Sequence, residues 1–220
     1  MKNLGMLFAL LGGMANLSCQ NAFERNKVEE IEKQKAIQPV QVPSERGMKR
    51  AYFASGCFWC VEAIYESVYG VEDAISGYSG GHTKNPTYES TNTGTTGHAE
   101  TVEVIYDPKK VSFETLVDVY FASQNITQVN GQGPDIGSQY RSILFYQNET
   151  EKKIIDSKIK AINDTLKNQQ VAAQVFPFEK FWKAEEYHQN YERNNPTHPY
   201  IINVSIPRLN RFKSKMPENF

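Results

Sequence analysis

Between residues 50 and 200 the chain alternates two hydrophobic rhythms, one of period two and one of helical period, punctuated by glycine, asparagine and proline. Arg50–Ala54 reads as a short strand. From Cys57 to Tyr69 the residues Cys57, Cys60, Val61, Ile64 and Val68 fall on one stripe, the spacing of an amphipathic helix, and Gly70 stops it. Val71–Tyr78 is a strand. Residues 79–97, rich in Gly, Thr and Asn, form a long loop, and a loop of that length in a compact domain is usually functional. His98–Tyr106 alternates until Asp107-Pro108 ends it. Ser112–Ala122 predicts a helix. Residues 123–139, with Gly131, Gly133, Pro134 and Gly137, make a second loop, and Tyr140–Tyr146 is a strand. Asn148 caps a helix from Glu149 to about Asn168, with Glu151 placed for a capping box and Ile155, Ile159, Ile162 and Leu166 turned inward. Val171–Phe176 is the last strand, and Phe181–Arg193 a further helix over the sheet. The order β-α-β-β-α-β-α-β predicts an α+β domain: a mixed sheet with helices packed against it, built on a ferredoxin-like βαββαβ core with long loops.

The ends read differently. Lys2, an apolar run from Leu4 to Leu17 and Ser18-Cys19 predict a secretory signal over residues 1–19. A cysteine directly after the cut points to a lipoprotein signal with Cys19 as the lipidation site, although Asn16 stands where such signals carry Leu; the alternative is a plain signal peptide with an incidental cysteine. Residues 20–48 are polar, with Pro39 and Pro43, and read as a flexible tether that would hold the domain on the order of 30 Å from its anchor. A local helix over 24–36 is open, but its stripe of Phe23, Val28 and Ile31 is thin. The catalytic domain is expected over 49–206. The basic tail, 207–220, carries Arg208, Arg211, Lys213 and Lys215, which are either solvated or in contact with a donor protein or lipid headgroups. This organisation implies an exported protein, anchored in the membrane by lipid alone and facing the periplasm or the cell exterior.

Composition narrows the chemistry. The 220 residues carry a net charge of −1, which fits one domain plus extensions and gives no electrostatic reason to expect nucleic acid as a partner. Three cysteines are too few for a disulfide scaffold. Two of them lie in Gly56-Cys57-Phe58-Trp59-Cys60, at a helix start where backbone N–H groups and the helix dipole favour a thiolate at Cys57. On a regular helix Cys57 and Cys60 would be about 5–6 Å apart at Cβ. A disulfide between them distorts the first turn, which suits a catalytic bond better than a structural one. Val61 stands where haem attachment needs His, and His82, His98, His188 and His198 lack zinc-site spacing, so neither metal nor cofactor is expected. Glu100 shares a strand face with Val102 and Val104; buried there, its carboxyl would have a raised pKa and could donate a proton. Tyr88 and Tyr140 flank flexible segments and Asp135 sits in Gly133-Pro134-Asp135-Ile136-Gly137. On residue type alone these are packing and turn residues.

Gly56-Cys57-Phe58-Trp59-Cys60-Val61-Glu62 resembles the active-site signature of the type A methionine sulfoxide reductases. The likeness continues in order through Gly77-Tyr78-Ser79-Gly80-Gly81, Asn85-Pro86-Thr87-Tyr88, Gly97-His98-Ala99-Glu100, Tyr106-Asp107-Pro108, Gly133-Pro134-Asp135-Ile136-Gly137, Gln139-Tyr140-Arg141-Ser142 and Ala184-Glu185-Glu186-Tyr187-His188-Gln189. The resemblance implies reduction of the S epimer of methionine sulfoxide, free or within proteins. Cys57 would be the nucleophile and Phe58 and Trp59 the wall receiving the methyl group. Glu100 would be the acid, Tyr88 and Tyr140 the donors to the sulfoxide oxygen, and Asp135 a support. The resulting Cys57 sulfenic acid would condense with Cys60, since residues 207–220 hold no cysteine, and a thioredoxin-like donor would reduce the disulfide of what is expected to be a monomer. The chain departs from the family at Gln124-Asn125-Ile126, where His-Asp-Pro is usual, and at Gly131, near a common Arg. Two rivals remain at this level: a thiol–disulfide oxidoreductase acting directly on protein disulfides, and a non-enzymatic module binding methionine-rich or oxidised proteins, which leaves Cys60 unexplained.

Overall fold

The elements in chain order are β1 (Lys49–Ala54), α1 (Phe58–Glu66), β2 (Val71–Ser79), α2 (Tyr88–Asn92), β3 (Ala99–Tyr106), α3 (Phe113–Ala122), β4 (Gly131–Gln132), β5 (Asp135–Ile136), β6 (Ile143–Tyr146), α4 (Glu149–Asn163), β7 (Gln174–Pro177), β8 (Trp182–Lys183), α5 (Tyr191–Asn194) and α6 (Ile206–Lys215). They come from a computed structural model that describes residues 37–219. Cys19, the signal segment and the tether before Ile37 lie outside the described residues.

Six strands form one sheet in the order β7-β6-β1-β3-β2-β8. All neighbours are antiparallel except β6 and β7. The inner four, β6-β1-β3-β2, with α1 and α3 as crossovers, are the split βαββαβ arrangement expected from the element order. Alternation along β3 separates two cores. Val102, Val104 and Tyr106 join Phe53, Ile64, Leu116 and Val117 in the larger one, under the helices; Ala99 joins Tyr52, Ile143, Phe145 and Phe178 in the smaller. Glu100 shares the register parity of Val102, so its carboxyl enters the helix-covered side.

Helix α1 is anchored at both ends. Gly56 turns the chain into it at φ +87°, and a Cβ there would lie 2.5 Å from Gln132 Cβ, so no larger residue fits. Buried Glu62 accepts from Ser76 Oγ at 2.6 Å and from the Asn190 backbone N–H at 2.7 Å, tying α1 to β2 and to the segment before α5. Asn148 caps α4 by accepting from Glu151 N at 3.0 Å. The Glu151 carboxylate reaches back to Gln147 N, one residue earlier than a capping box requires.

Several expectations change. The α1 helix stops at Glu66, not Tyr69, and α4 at Asn163, not Asn168. The 79–97 loop contains the capped helix α2 and the 123–139 loop the β4–β5 ribbon. Tyr140 lies in a 3-10 turn before β6. The helix expected over Phe181–Arg193 is instead β8, a 3-10 turn and the single turn α5, because Gly77 and Tyr78 of β2 pair with Lys183 and Trp182. Residues 39–48 of the expected tether belong to the folded domain. Val40 N bonds Phe178 O at 2.7 Å and Val42 N bonds Gln147 Oε1 at 2.9 Å, so the chain joins the domain from Pro39 onward. The basic tail is helix α6. Phe212 is fully buried, and buried Arg208 donates to Ser123 O at 2.8 Å, because Ile206, Leu209, Phe212 and Met216 repeat at helical spacing. Phe212→Ala is expected to cost about 3–5 kcal/mol in a denaturant titration, whereas a solvated tail would cost nothing measurable.

Candidate active site

Cys57 is the N-cap of α1, with φ −55° and ψ 124°, so it precedes the helix rather than belonging to its first turn. Both cysteines are free and buried. The Cys57 and Cys60 thiols lie close enough to act on each other's charge. Burial pushes the Cys57 thiol well up, and the charges of Cys60 and Glu100 add to this. Cys60 is pulled down to about 6 by the Cys57 hydrogen bond, with help from Arg208, Ser205 and Tyr200. Burial beside a second sulfur thus works against the N-terminal dipole at Cys57, while the neighbouring thiol and Arg208 favour charge on Cys60.

Glu100 meets its expectation in geometry. It is 2 % exposed and accepts from Phe58 N at 2.9 Å, which fixes the carboxyl beside the start of α1. Burial raises its pKa to about 8, and the charges of Asp135 and Cys60 add to this. At neutral pH it is mainly a carboxylic acid and able to donate.

Phe58 and Trp59 form a wall with Tyr88, whose ring centroid is 6.4 Å from that of Phe58. Trp59 stacks on Tyr191 at 3.7 Å. His188 stands behind all three, its ring centroid 4.8 Å from Phe58, 5.7 Å from Trp59 and 4.6 Å from Tyr88. Trp59 Nε1 donates to His188 Nδ1 at 3.1 Å. An indole N–H only donates, so Nδ1 is bare and the neutral ring carries its proton on Nε2. Nε2 is buried, without a hydrogen-bond partner, 3.9 Å from Glu185 Oε2. Burial lowers the His188 pKa and keeps this form. His188→Leu is expected to raise KM for the sulfoxide about twofold to tenfold with little change in kcat. His188→Asn, whose Oδ1 can replace Nδ1, should restore it; steady-state kinetics read both.

Tyr88 and Tyr140 are brought together. Each phenol acts on the other's titration, and both feel the charges of Glu100 and Cys57. Burial pushes both above the usual phenol range. Asp135 joins the site through Tyr200: its carboxylate accepts from Tyr200 OH at 2.5 Å, that phenol lies 3.6 Å from Cys60 Sγ, and its ring meets Trp59 edge-on at 5.9 Å. Burial raises Asp135. Tyr200 and Arg208 are the residues that sequence reasoning missed. The amphipathic repeat of α6 could have revealed Arg208; one tyrosine among twelve carries no mark.

The model of the family described as peptide methionine sulfoxide reductase matches residues 49–219. The peptide methionine sulfoxide reductase MsrA of Nautilia profundicola is 44 % identical over 172 residues, covering 78 % of this chain and 98 % of the relative. That of Pasteurella multocida is 42 % identical over 170 residues, covering 77 % and 97 %. Among solved structures, methionine sulfoxide reductase A of Corynebacterium diphtheriae is similar with a TM-score of 0.62 and 31 % identity, over 73 % of this chain and 83 % of that one. Mxr1 from Saccharomyces cerevisiae in reduced form is similar with a TM-score of 0.63 and 31 % identity, over 71 % and 91 %. Matched by the family model over most of its length, the chain belongs to the peptide methionine sulfoxide reductase family and is an enzyme that returns methionine sulfoxide to methionine.

Proposed function

We propose that the enzyme acts on the S epimer of methionine sulfoxide, free or in oxidised proteins, with Cys57 as nucleophile and Glu100 as acid. The observation that carries this reading is the buried Glu100 carboxyl held by Phe58 N at the step where Cys57 starts α1, where burial raises its pKa. A sulfoxide oxygen is a poor leaving group until protonated. Glu100 supplies that proton, and the paired Tyr88 and Tyr140 phenols donate to the oxygen as charge grows on it. Phe58 and Trp59 hold the methyl group, and Asp135 with Tyr200 supports the Cys60 side.

The Cys57 sulfur bonds to the sulfoxide sulfur as its proton passes to the neighbouring Cys60 sulfur. As that intermediate collapses, the protonated oxygen passes from the substrate sulfur to Cys57, the S–S bond breaks, and methionine leaves with its electron pair while Cys57 is left as a sulfenic acid. Cys60 then displaces that oxygen as water and forms the Cys57–Cys60 disulfide. A thioredoxin-like dithiol returns both sulfurs to thiols at the end of each cycle. Cys60→Ser is expected to release one methionine per chain and then stop with thioredoxin as donor; rapid-quench counting of methionine checks this, and sustained cycling would mean another resolving route.

Direct disulfide exchange is the weaker reading. It leaves the buried Glu100 carboxyl and the aromatic wall without a task, and insulin reduction without methionine sulfoxide turnover would favour it. The N-terminal pattern through Ser18-Cys19 supports export as a lipoprotein acting on oxidised envelope proteins, the polar residues before Pro39 serving as tether. Intact mass of membrane-extracted protein tests this, a diacylglyceryl mass on a chain beginning at Cys19 being the expected result.

A further inference from the structure

Cys60 faces a second opening. A cavity of about 300 Å³ takes in Cys60, Asp135 and Tyr200, but none of Cys57, Phe58, Trp59, Tyr88, Glu100 or Tyr140. That volume lies at the lower end of small-molecule sites. Its charge is lopsided: Arg208, Arg211 and Lys215 of α6 line it against the single carboxylate of Asp135, which Tyr200 already occupies.

The opposite wall is braced rather than loose. Gln132 Oε1 accepts from Asn125 N at 2.8 Å, and Gln132 Nε2 donates to Gln124 Oε1 at 3.0 Å and Asn125 O at 3.1 Å. Gln128 Oε1 accepts from Gly133 N at 2.9 Å and its Nε2 donates to Gly133 O at 3.1 Å. Of this wall, Gln124 and Asn125 stand where the family pattern resembled in sequence carries His-Asp, and both are neutral. The wall therefore lacks a carboxylate that would repel an anion.

We infer that this cavity binds a small thiol carrying carboxylate groups, which enters beside Cys60 to reduce the Cys57–Cys60 disulfide. The inference rests on the proposed role of Cys60 as resolving thiol. The thiolate of the incoming molecule attacks Cys60 Sγ, the sulfur that lines the cavity. The Cys57–Cys60 bond breaks, and Cys57 departs with the electron pair and takes up a proton. A second molecule of the same thiol attacks the mixed disulfide. Cys60 then leaves as a thiolate beside Arg208, and the two thiols depart oxidised as their symmetric disulfide. Carboxylates of the bound thiol pair with Arg211 and Lys215 at the rim. The cavity takes in Cys60 but not Cys57 and meets the aromatic wall only at Tyr200, whose ring lies edge-on to Trp59 at 5.9 Å, so the reductant approaches Cys60 from a side that methionine does not use.

The test uses the full chain, first reduced and then mixed with methionine sulfoxide without thiol, which measures the proposed resolving step by itself. The disulfide form is next mixed with mercaptosuccinate, 2-mercaptoethanol or cysteamine, and the rates are compared per thiolate. Mercaptosuccinate is expected to saturate and to react about tenfold faster than cysteamine. The preference should shrink with salt and vanish in the Arg211→Glu, Lys215→Glu double variant, whose single-turnover methionine yield stays that of the wild type. Equal rates for the three thiols overturn the inference, as does a preference the double variant keeps. Equal rates combined with a thioredoxin reaction that collapses in the double variant overturn it in favour of a protein donor. Absence of the disulfide after the first step sinks the resolving role of Cys60 instead.

Discussion

Cys57→Ser is expected to leave no measurable methionine sulfoxide reduction, a loss on the order of 10⁴-fold or more, in keeping with removal of an enzyme's nucleophile. The hydroxyl fits the same N-cap position, which accepts serine readily, so the fold and its thermal transition should change little. What disappears is the sulfur that bonds to the substrate and then carries its oxygen. Serine has no counterpart to the sulfenic acid, so Cys60 has nothing to condense with. The check is chromatographic: the variant, fully reduced and at high concentration, is incubated with the sulfoxide and methionine is counted. Turnover near the wild-type rate would remove Cys57 from the chemistry and leave the aromatic wall without a nucleophile.

Glu100→Gln is the second large effect, a fall of about 10²–10⁴-fold in the rate of methionine formation in a single turnover. The amide can still accept from Phe58 N, so the start of α1 stays in place and the loss isolates the proton. The pH dependence carries the sign. With a pKa of about 8, Glu100 is in its acid form below that value and loses it as pH rises through it. The wild-type reduction step should therefore decline above about pH 8, and the glutamine variant should lack that alkaline limb. Stability moves by the same linkage. A carboxyl raised by burial holds in the folded state a proton that the unfolded chain releases at its ordinary, lower pKa. The contribution is complete below that ordinary value and is lost as pH rises toward 8, so Glu100→Gln should flatten that slope in denaturant titrations. A single-turnover rate within twofold of wild type would assign the proton to another group.

The reactive pair and the sheet were legible because each combines local cues. Alternation in β3 placed Glu100 with Val102 and Val104, and the glycine before Cys57 marked a strand-to-helix turn; the structure keeps both. The 181–193 segment misled because its aromatic residues follow a helical period while Trp182 and Lys183 satisfy the free edge of β2, a pairing set more than 100 residues away in sequence. The surroundings of the cysteine pair were also beyond a local reading. The dipole at the start of α1 is visible in sequence, but Arg208 and Tyr200, which help to lower the Cys60 thiol, arrive from α6 and the segment before it. His188 was weighed as a metal ligand, and its place behind Phe58, Trp59 and Tyr88 depends on the 3-10 turn that follows β8. A basic run such as 208–215 looks solvated until the spacing of Leu209, Phe212 and Met216 is read with it.

The central claim is that Cys57 takes the oxygen from one epimer of methionine sulfoxide and passes its oxidation to Cys60. The most direct measurement is a single turnover of the reduced enzyme with racemic sulfoxide and no added reductant, both epimers resolved by chromatography and the thiols mapped by mass spectrometry. The account predicts loss of the S epimer alone, one methionine per chain, and a disulfide joining Cys57 to Cys60. Loss of both epimers, or methionine formed while Cys60 stays a free thiol, would contradict it.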